Sequence, residues 1–282
     1  MTTNTDIPLI LGGHSFISQL GNEPQPDEAA QCKIVEACLD HGIAWFDTTH
    51  QPERIALGRA LKKLGRRREA TIIAWNFMQV LRPEDKLDRP VELEERHLQQ
   101  FSDELQTDYI DCLVLHELDQ GTEEQHKRQE ALAVGWQKQG YVKQLGVWAP
   151  GENALEKYGL NSPYSFMVRP YNIKSGDLSP IFAACKKLGW QNFACSPFIR
   201  GWELDKMLKK AANVERGNEG ALRAKLADLM LRFSLFQPNV DRLICAMRRV
   251  QWVGTNVESC HRGPLNDSEM AWLDSLCQMP DT

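Results

Sequence analysis

Short apolar runs alternate with longer amphipathic stretches along almost the whole chain. The runs Leu9–Leu11, Ile43–Asp47, Thr71–Trp75, Ile110–Leu115, Val142–Val147, Phe166–Val168, Phe193–Cys195 and Leu243–Cys245 are nearly continuous in hydrophobicity, as strands covered on both faces must be. Between them the apolar positions return at helical spacing. Ala30, Ile34, Cys38 and Leu39 share one face, after Pro24, Pro26 and the candidate N-cap Asp27, and Gly42 closes that helix. Glu92–Leu105 carries the stripe Leu93, Leu98, Phe101 and Leu105, and Gly140 and Gly189 end helices before the fifth and seventh strands. A polar surface loop, Asn213–Asn218, precedes a long helix over Ala221–Phe236, and Pro264–Cys277 predicts an extra C-terminal helix capped by Asn266 or Asp267. Eight strand–helix repeats in this order predict an α/β protein, a (β/α)8 TIM barrel forming one domain over residues 1–282. The length suits that architecture, which typically needs ~250 residues.

Composition changes this picture little. Apolar residues make up 42% and charged residues 25%, and the net charge of -5 argues against a general nucleic-acid surface. No apolar run approaches the ~20 residues of a membrane helix. The start, Met1 to Asp6, lacks the basic and apolar regions of a signal peptide. The eight cysteines (Cys32, Cys38, Cys112, Cys185, Cys195, Cys245, Cys260 and Cys277) form no CxxC pair, and several lie in apolar runs. A reduced, cytoplasmic protein is expected, with Cys195 the thiol to examine for reactivity.

In such barrels function sits at the C-terminal ends of the strands, so the candidates can be taken around the ring. They are His14; Asp47 and His50; Trp75 and Asn76; His116 and Glu117; Trp148; Arg169 and Tyr171; Ser196 and Arg200; and finally Arg248 and Arg249. Acid/base groups cluster on the first four strands and cations on the last three, a layout suited to an anionic small molecule. His116 beside Asp47 and His50 has the makings of a general acid/base, because imidazole titrates near neutrality. The set His14, Asp47, His50, His116 and Glu117 also offers ligands of the type a divalent metal takes, without any local HxH or HExxH signature. Trp75 and Trp148, with Trp45 and Trp202, suggest an aromatic-lined cleft; Trp45 is equally a core residue.

Several phrases occur in the order found in the aldo-keto reductase superfamily. Asp47-Thr48-Thr49-His50-Gln51-Pro52-Glu53 resembles its second βα unit, and Asp108–His116 its fourth strand, which ends in a catalytic histidine. Gly140–Val147, Tyr171-Asn172, Cys195-Ser196-Pro197-Phe198 and Leu231-Arg232-Phe233 resemble later elements. The resemblance implies a barrel of aldo-keto reductase type. It also implies a catalytic set of aspartate, tyrosine, lysine and histidine, of which Asp47 and His116 are present. The tyrosine has no counterpart, and Asn76 stands in the phrase where the lysine is expected. Trp148-Ala149 and Val168 replace the Ser-Asn pair and glutamine that hold a nicotinamide, and Tyr171 corresponds to the ring stacked under it. Arg248, Arg249 and Asn256 match an adenosine-phosphate site, with Ala246 where Gly or Lys is expected.

These departures point away from standard NADPH carbonyl reduction. The leading expectation is cofactor-independent, or metal-dependent, lyase, isomerase or epimerase chemistry on a small anionic or carbohydrate-like substrate. His116 would be the acid/base, Asp47 its partner, and Arg169 with Arg200 or Arg248 the anion clamp. Two alternatives stand beside it: an NADP-dependent oxidoreductase with a histidine as acid, and a non-catalytic binding protein on a retired enzyme scaffold. No nucleic-acid or membrane partner is expected.

Overall fold

The computed structural model describes residues 6–18, 25–80, 89–215 and 217–280. Eight parallel strands close a barrel in chain order. They are β1 (Leu9–Leu11), β2 (Trp45–Thr48), β3 (Thr71–Trp75), β4 (Ile110–Leu115), β5 (Val142–Trp148), β6 (Tyr164–Pro170), β7 (Gln191–Cys195) and β8 (Arg242–Cys245). Outside them lie α1 (Glu28–Asp40), α2 (Gln51–Leu64), α3 (Arg96–Leu105), α4 (Glu123–Lys138) and the short α5 (Ala154–Tyr158). The circuit continues with α6 (Ser179–Lys187), α7 (Trp202–Val214), α8 (Glu219–Leu235), α9 (Val250–Arg262) and α10 (Asp267–Gln278). No helix among the described residues is long and apolar enough to cross a membrane.

The helices start where the chain supplies acceptors. Asp27 accepts from the Ala30 N–H at the head of α1, as its position predicts. Thr122 with Gln125, and Asn266 with Glu269, form reciprocal capping boxes at α4 and α10. Several boundaries differ from the sequence expectation (β6, for one, runs from Tyr164 to Pro170), and three differences have a local cause. β2 starts at Trp45 because the Ile43 N–H is still bonded to Cys38 O in the terminal turn of α1. α3 starts at Arg96 rather than Glu92: the Val91 N–H pairs with Asn76 O, and the Glu94 N–H is taken by the ring of His97. α8 starts two residues early because Asn218 caps it through the N–H groups of Gly220 and Ala221, while α7 runs on to Val214 and shortens the expected loop. Arg216 and Pro24 lie outside the described residues.

Strand residues alternate between two environments, which decides which of them reach the site. Ile10, Ile73, Cys112, Val114, Phe166, Val168, Phe193 and Ile244 fill the barrel interior. Leu9, Leu11, Phe46, Ile72, Ala74, Leu113, Leu145, Met167 and Leu243 face the helices. Gly146 is glycine for a steric reason: a Cβ there would lie 2.3 Å from the Phe166 ring, which occupies that part of the interior. The eighth βα unit is closed by Arg232 of α8, which donates to Gly263 O (2.7 Å) and pairs with Glu269 of α10 (2.8 Å).

Candidate active site

A cavity of about 1130 Å³ opens at the C-terminal ends of the strands. Its floor is set by β2 and β3. Asp47 is the last inward residue of β2, and its Oδ1 accepts from the indole Nε1 of Trp75 at 2.6 Å. Burial pushes the Asp47 carboxyl up to about 7; the nearby Glu53 charge adds to this, and the hydrogen bond from Trp75 offsets only part of it. Thus a neutral N–H donor, rather than a cation, holds this carboxyl. Protonated and ionised forms are then both accessible near neutral pH.

Beside Asp47 lies a second buried carboxylate, missed at the sequence level. Glu53 is the third residue of α2, the N3 position after His50, where a capping-box carboxylate reaches back to free N–H groups. Its Oε2 accepts from the backbone of Thr49 (2.7 Å) and His50 (3.1 Å), and its Oε1 lies 2.6 Å from Nδ1 of His14. Burial favours the neutral acid, but the charges and hydrogen bonds of His14 and His50 outweigh it and hold Glu53 below the usual carboxylate range. The space for this carboxylate comes from Gly13: a Cβ there would lie 2.2 Å from Glu53 Oε2 and 2.8 Å from the Asp47 carbonyl oxygen. Gly13→Ala is therefore expected to lower unfolding stability by about 1–3 kcal/mol, the usual cost of overpacking. Urea denaturation checks it; an unchanged midpoint would mean that Glu53 has another place to go.

Around this floor the walls are aromatic. Phe77, a second missed residue, meets His50, Trp75 and His116 edge-on at centroid distances of 5.4, 6.3 and 5.5 Å. Trp148 stacks on His116 at 5.6 Å and meets Trp75 edge-on at 5.3 Å. His116 Nδ1 donates to Glu117 O at 2.7 Å. A ring protonated on Nδ1 keeps Nε2 as its basic nitrogen when neutral. Cys195 also lies on the cavity wall, but burial pushes its thiol up to about 12, which disfavours the thiolate that reactivity requires.

Of the residues expected at the site, Asp47, His50, His116, Trp75, Trp148, Ser196, Arg248 and Asn256 line this one cavity, together with His14. Others are turned away, mostly for reasons of strand parity. Asn76 faces the helix layer with Ala74; its Nδ2 donates to His116 O and Gln129, and its Oδ1 accepts from the His116 N–H. The residue beside Asp47 in the lysine phrase is therefore Trp75. Arg169 follows Met167 outward and donates to Pro150 O at 2.6 Å. Tyr171 is buried against Phe233 in a parallel stack, and its hydroxyl donates to Gln237. Glu117 is exposed and ion-paired to Lys157, whose hydrogen bond holds it below the usual carboxylate range. Arg249 lies over the Trp252 ring outside the cavity lining. The Arg200 side chain lies outside the described residues.

Trp45 packs at the opposite end of the barrel, edge-on to Phe193 and beneath Arg242. Trp202 is exposed and does not line the cavity. The cavity extends outward from the floor to α8 and α9, where Arg223, Gln251, Trp252 and Asn256 contribute to it. Arg248 stands between the two regions, its Nε donating to His14 O at 3.2 Å.

A closed eight-stranded parallel barrel with its cavity on the C-terminal strand ends belongs to the (β/α)8 class of enzyme scaffolds. The chain belongs to the aldo/keto reductase family, whose pattern it matches over residues 8–278. Its fold is similar to that of the aldo-keto reductase AKR11C1 from Bacillus halodurans in its holo form. There the TM-score is 0.70 with 18% identity, over 95% of this chain and 91% of that one. It is also similar to a thermostable aldo-keto reductase, Tm1743, described in complex with the inhibitor epalrestat. That match has a TM-score of 0.66 and 21% identity, over 95% of this chain and 94% of that chain. No curated protein matches the chain.

Proposed function

We propose that this barrel catalyses proton transfer rather than hydride transfer, as an isomerase, epimerase or lyase acting on a small carbohydrate-like carbonyl compound. The observation that carries this reading is the composition of the cavity wall. Asp47 and His116 are both on it, and among the described residues its lining includes no tyrosine and no lysine. Asp47 is held instead by the Trp75 indole, and His116 presents Nε2 as a base. Two such groups can take a proton from the carbon next to a carbonyl and return one to its oxygen or to the neighbouring carbon. The aromatic wall of Phe77, Trp75 and Trp148 suits the apolar faces of a sugar-like substrate. With Arg169 turned outward, Arg248 and, further out, Arg223 are the arginines among the described lining residues that would meet an anionic tail.

NADP is the cofactor normally used in this family, and the inner end of the cavity does not fit its nicotinamide. Trp148 packs there between Trp75 and His116, and Val168 offers no hydrogen-bonding group. The outer end, with Arg248 and Asn256, supports the second reading, an NADP-dependent oxidoreductase in which a histidine supplies the proton.

One experiment separates the two. Small aldoses, ketoses and hydroxy acids are incubated with the protein in D2O without nicotinamide, and solvent deuterium at carbon is followed by NMR. Exchange is expected with at least one substrate and falls by about 10²–10⁴-fold in His116→Gln, the usual range for loss of a general base. Micromolar NADPH binding by fluorescence, with carbonyl-dependent NADPH oxidation and no exchange, would overturn the proposal in favour of the oxidoreductase.

A further inference from the structure

We propose that His14, His50 and Glu53 form a binding site for one divalent transition-metal ion, of the zinc, iron(II) or manganese type. One ligand atom from each of the three residues lies within 4.8 Å of the others. The sequence brings them together from two places. His50 caps α2 and Glu53 is its third residue, so both lie at the head of one helix. His14 arrives from the short turn Gly13–Ser15 after β1, across the gap that Gly13 leaves open.

Several features make this more than a chance group of polar side chains. Glu53 is fully buried, so its charge is held by specific partners and not by solvent. The rings of His14 and His50 are close neighbours, with centroids 5.7 Å apart. Two imidazoles and one carboxylate form the ligand set of catalytic zinc and of mononuclear iron(II) sites, which leave further coordination positions open. Both histidines line the large cavity, so those positions would face a substrate. The His14 side chain is 32% exposed, which gives an ion a way in.

This set differs from the one expected from sequence. Glu53 enters, while Glu117 is excluded by its ion pair with Lys157 on the surface. His116 is not part of the three-residue group. A bound ion would act as a Lewis acid toward a substrate oxygen or lower the pKa of a water beside Asp47. The inference does not depend on the acid–base reading, because metal binding is measured without turnover.

The untagged full chain is treated with chelator, dialysed, and titrated with Zn(II) by calorimetry and with Co(II) by visible absorption. One equivalent of each is expected, with Co(II) d–d bands typical of nitrogen and oxygen ligands and a rise in unfolding temperature on adding zinc. Glu53→Gln keeps an acceptor oxygen for the Thr49 and His50 N–H groups but is a poor ligand; His14→Gln sits at a partly exposed position and is expected to spare the fold. Each is expected to weaken zinc binding by about tenfold or more. Absence of stoichiometric binding overturns the proposal. So does binding whose affinity is unchanged in the folded His14→Gln protein, which would place the ion elsewhere.

Discussion

Asp47→Asn is expected to unfold at a higher temperature than the parent chain at pH 8, and at nearly the same temperature at pH 4, while losing turnover. The carboxyl titrates at 3.8 in its ordinary environment and at about 7 in the folded protein, chiefly because burial disfavours its charge. Well below pH 3.8 both the folded and unfolded chains carry it neutral, and it contributes its full stability. Between pH 4 and 7 the unfolded chain ionises first, so stability falls steadily with rising pH. Above 7 the loss is complete and the curve flattens. A gap of this size is worth on the order of 4 kcal/mol, at ~1.4 kcal/mol per pH unit. Asparagine keeps an oxygen for the Trp75 indole and carries no charge at any pH, so it avoids the loss. In a chain of this length each kcal/mol moves the melting temperature by about 2–4 °C, which calorimetry of chelator-treated protein resolves. Proton exchange at substrate carbon is expected to fall about 10²–10⁴-fold in the same variant. A variant less stable than the parent at pH 8, or a difference that ignores pH, would mean that Asp47 is an ionised structural carboxylate. A variant more stable than the parent at pH 8 would mean that the native aspartate trades stability for a carboxyl that can exchange its proton.

The strand pattern was legible in the sequence because parallel strands buried on both faces leave continuous apolar runs. All eight runs fall inside or beside a real strand, and the cap Asp27 was readable from residue type, which at the last helix left Asn266 and Asp267 both open. The direction of individual side chains was harder. Matching the third strand by its last residue put Asn76 where a lysine was expected. The period-2 alternation set by Ile72 and Ile73 puts Trp75 inside and Asn76 outside. The same rule turns Arg169 outward and leaves Val168 in the cavity. Phe77 and Cys195 carry the same parity as Trp75 and Phe193 and were recoverable from it. Glu53 left a trace in its spacing from His50. Its meeting with His14, 39 positions away, depends on the path of the loop after β1, which no local pattern encodes.

The geometry of the floor rests on a buried ion pair one layer further out, and breaking it is expected to be the most damaging single change. Arg54 of α2 is completely buried and donates through Nε to Glu104 of α3 at 2.5 Å. Its Nη1 also donates to Thr49 O (3.0 Å) and Phe77 O (2.9 Å), the backbone of two cavity-lining residues, and its guanidinium lies over the Phe101 ring. Gln51 and Gln100 donate to the other oxygen of Glu104, so one arginine and one glutamate join the loops after β2 and β3 to the first helices outside them. Arg54→Ala leaves the Glu104 charge buried without its cation and two carbonyls without a donor. Losses of about 3–5 kcal/mol follow from breaking a buried pair in this way. Removing both charges with apolar residues of similar size, as in Arg54→Met with Glu104→Leu, is expected to recover most of the stability, since the pair itself was costly to bury. The carbonyls of Thr49 and Phe77 stay unsatisfied in that double variant. It is therefore expected to fold and yet to hold His50 and Phe77 loosely, with weaker substrate exchange than its melting temperature implies. Urea denaturation of the single and double variants beside the exchange assay tests both halves. A double variant as active as the parent would show that Arg54 supports the fold alone and does not position the site.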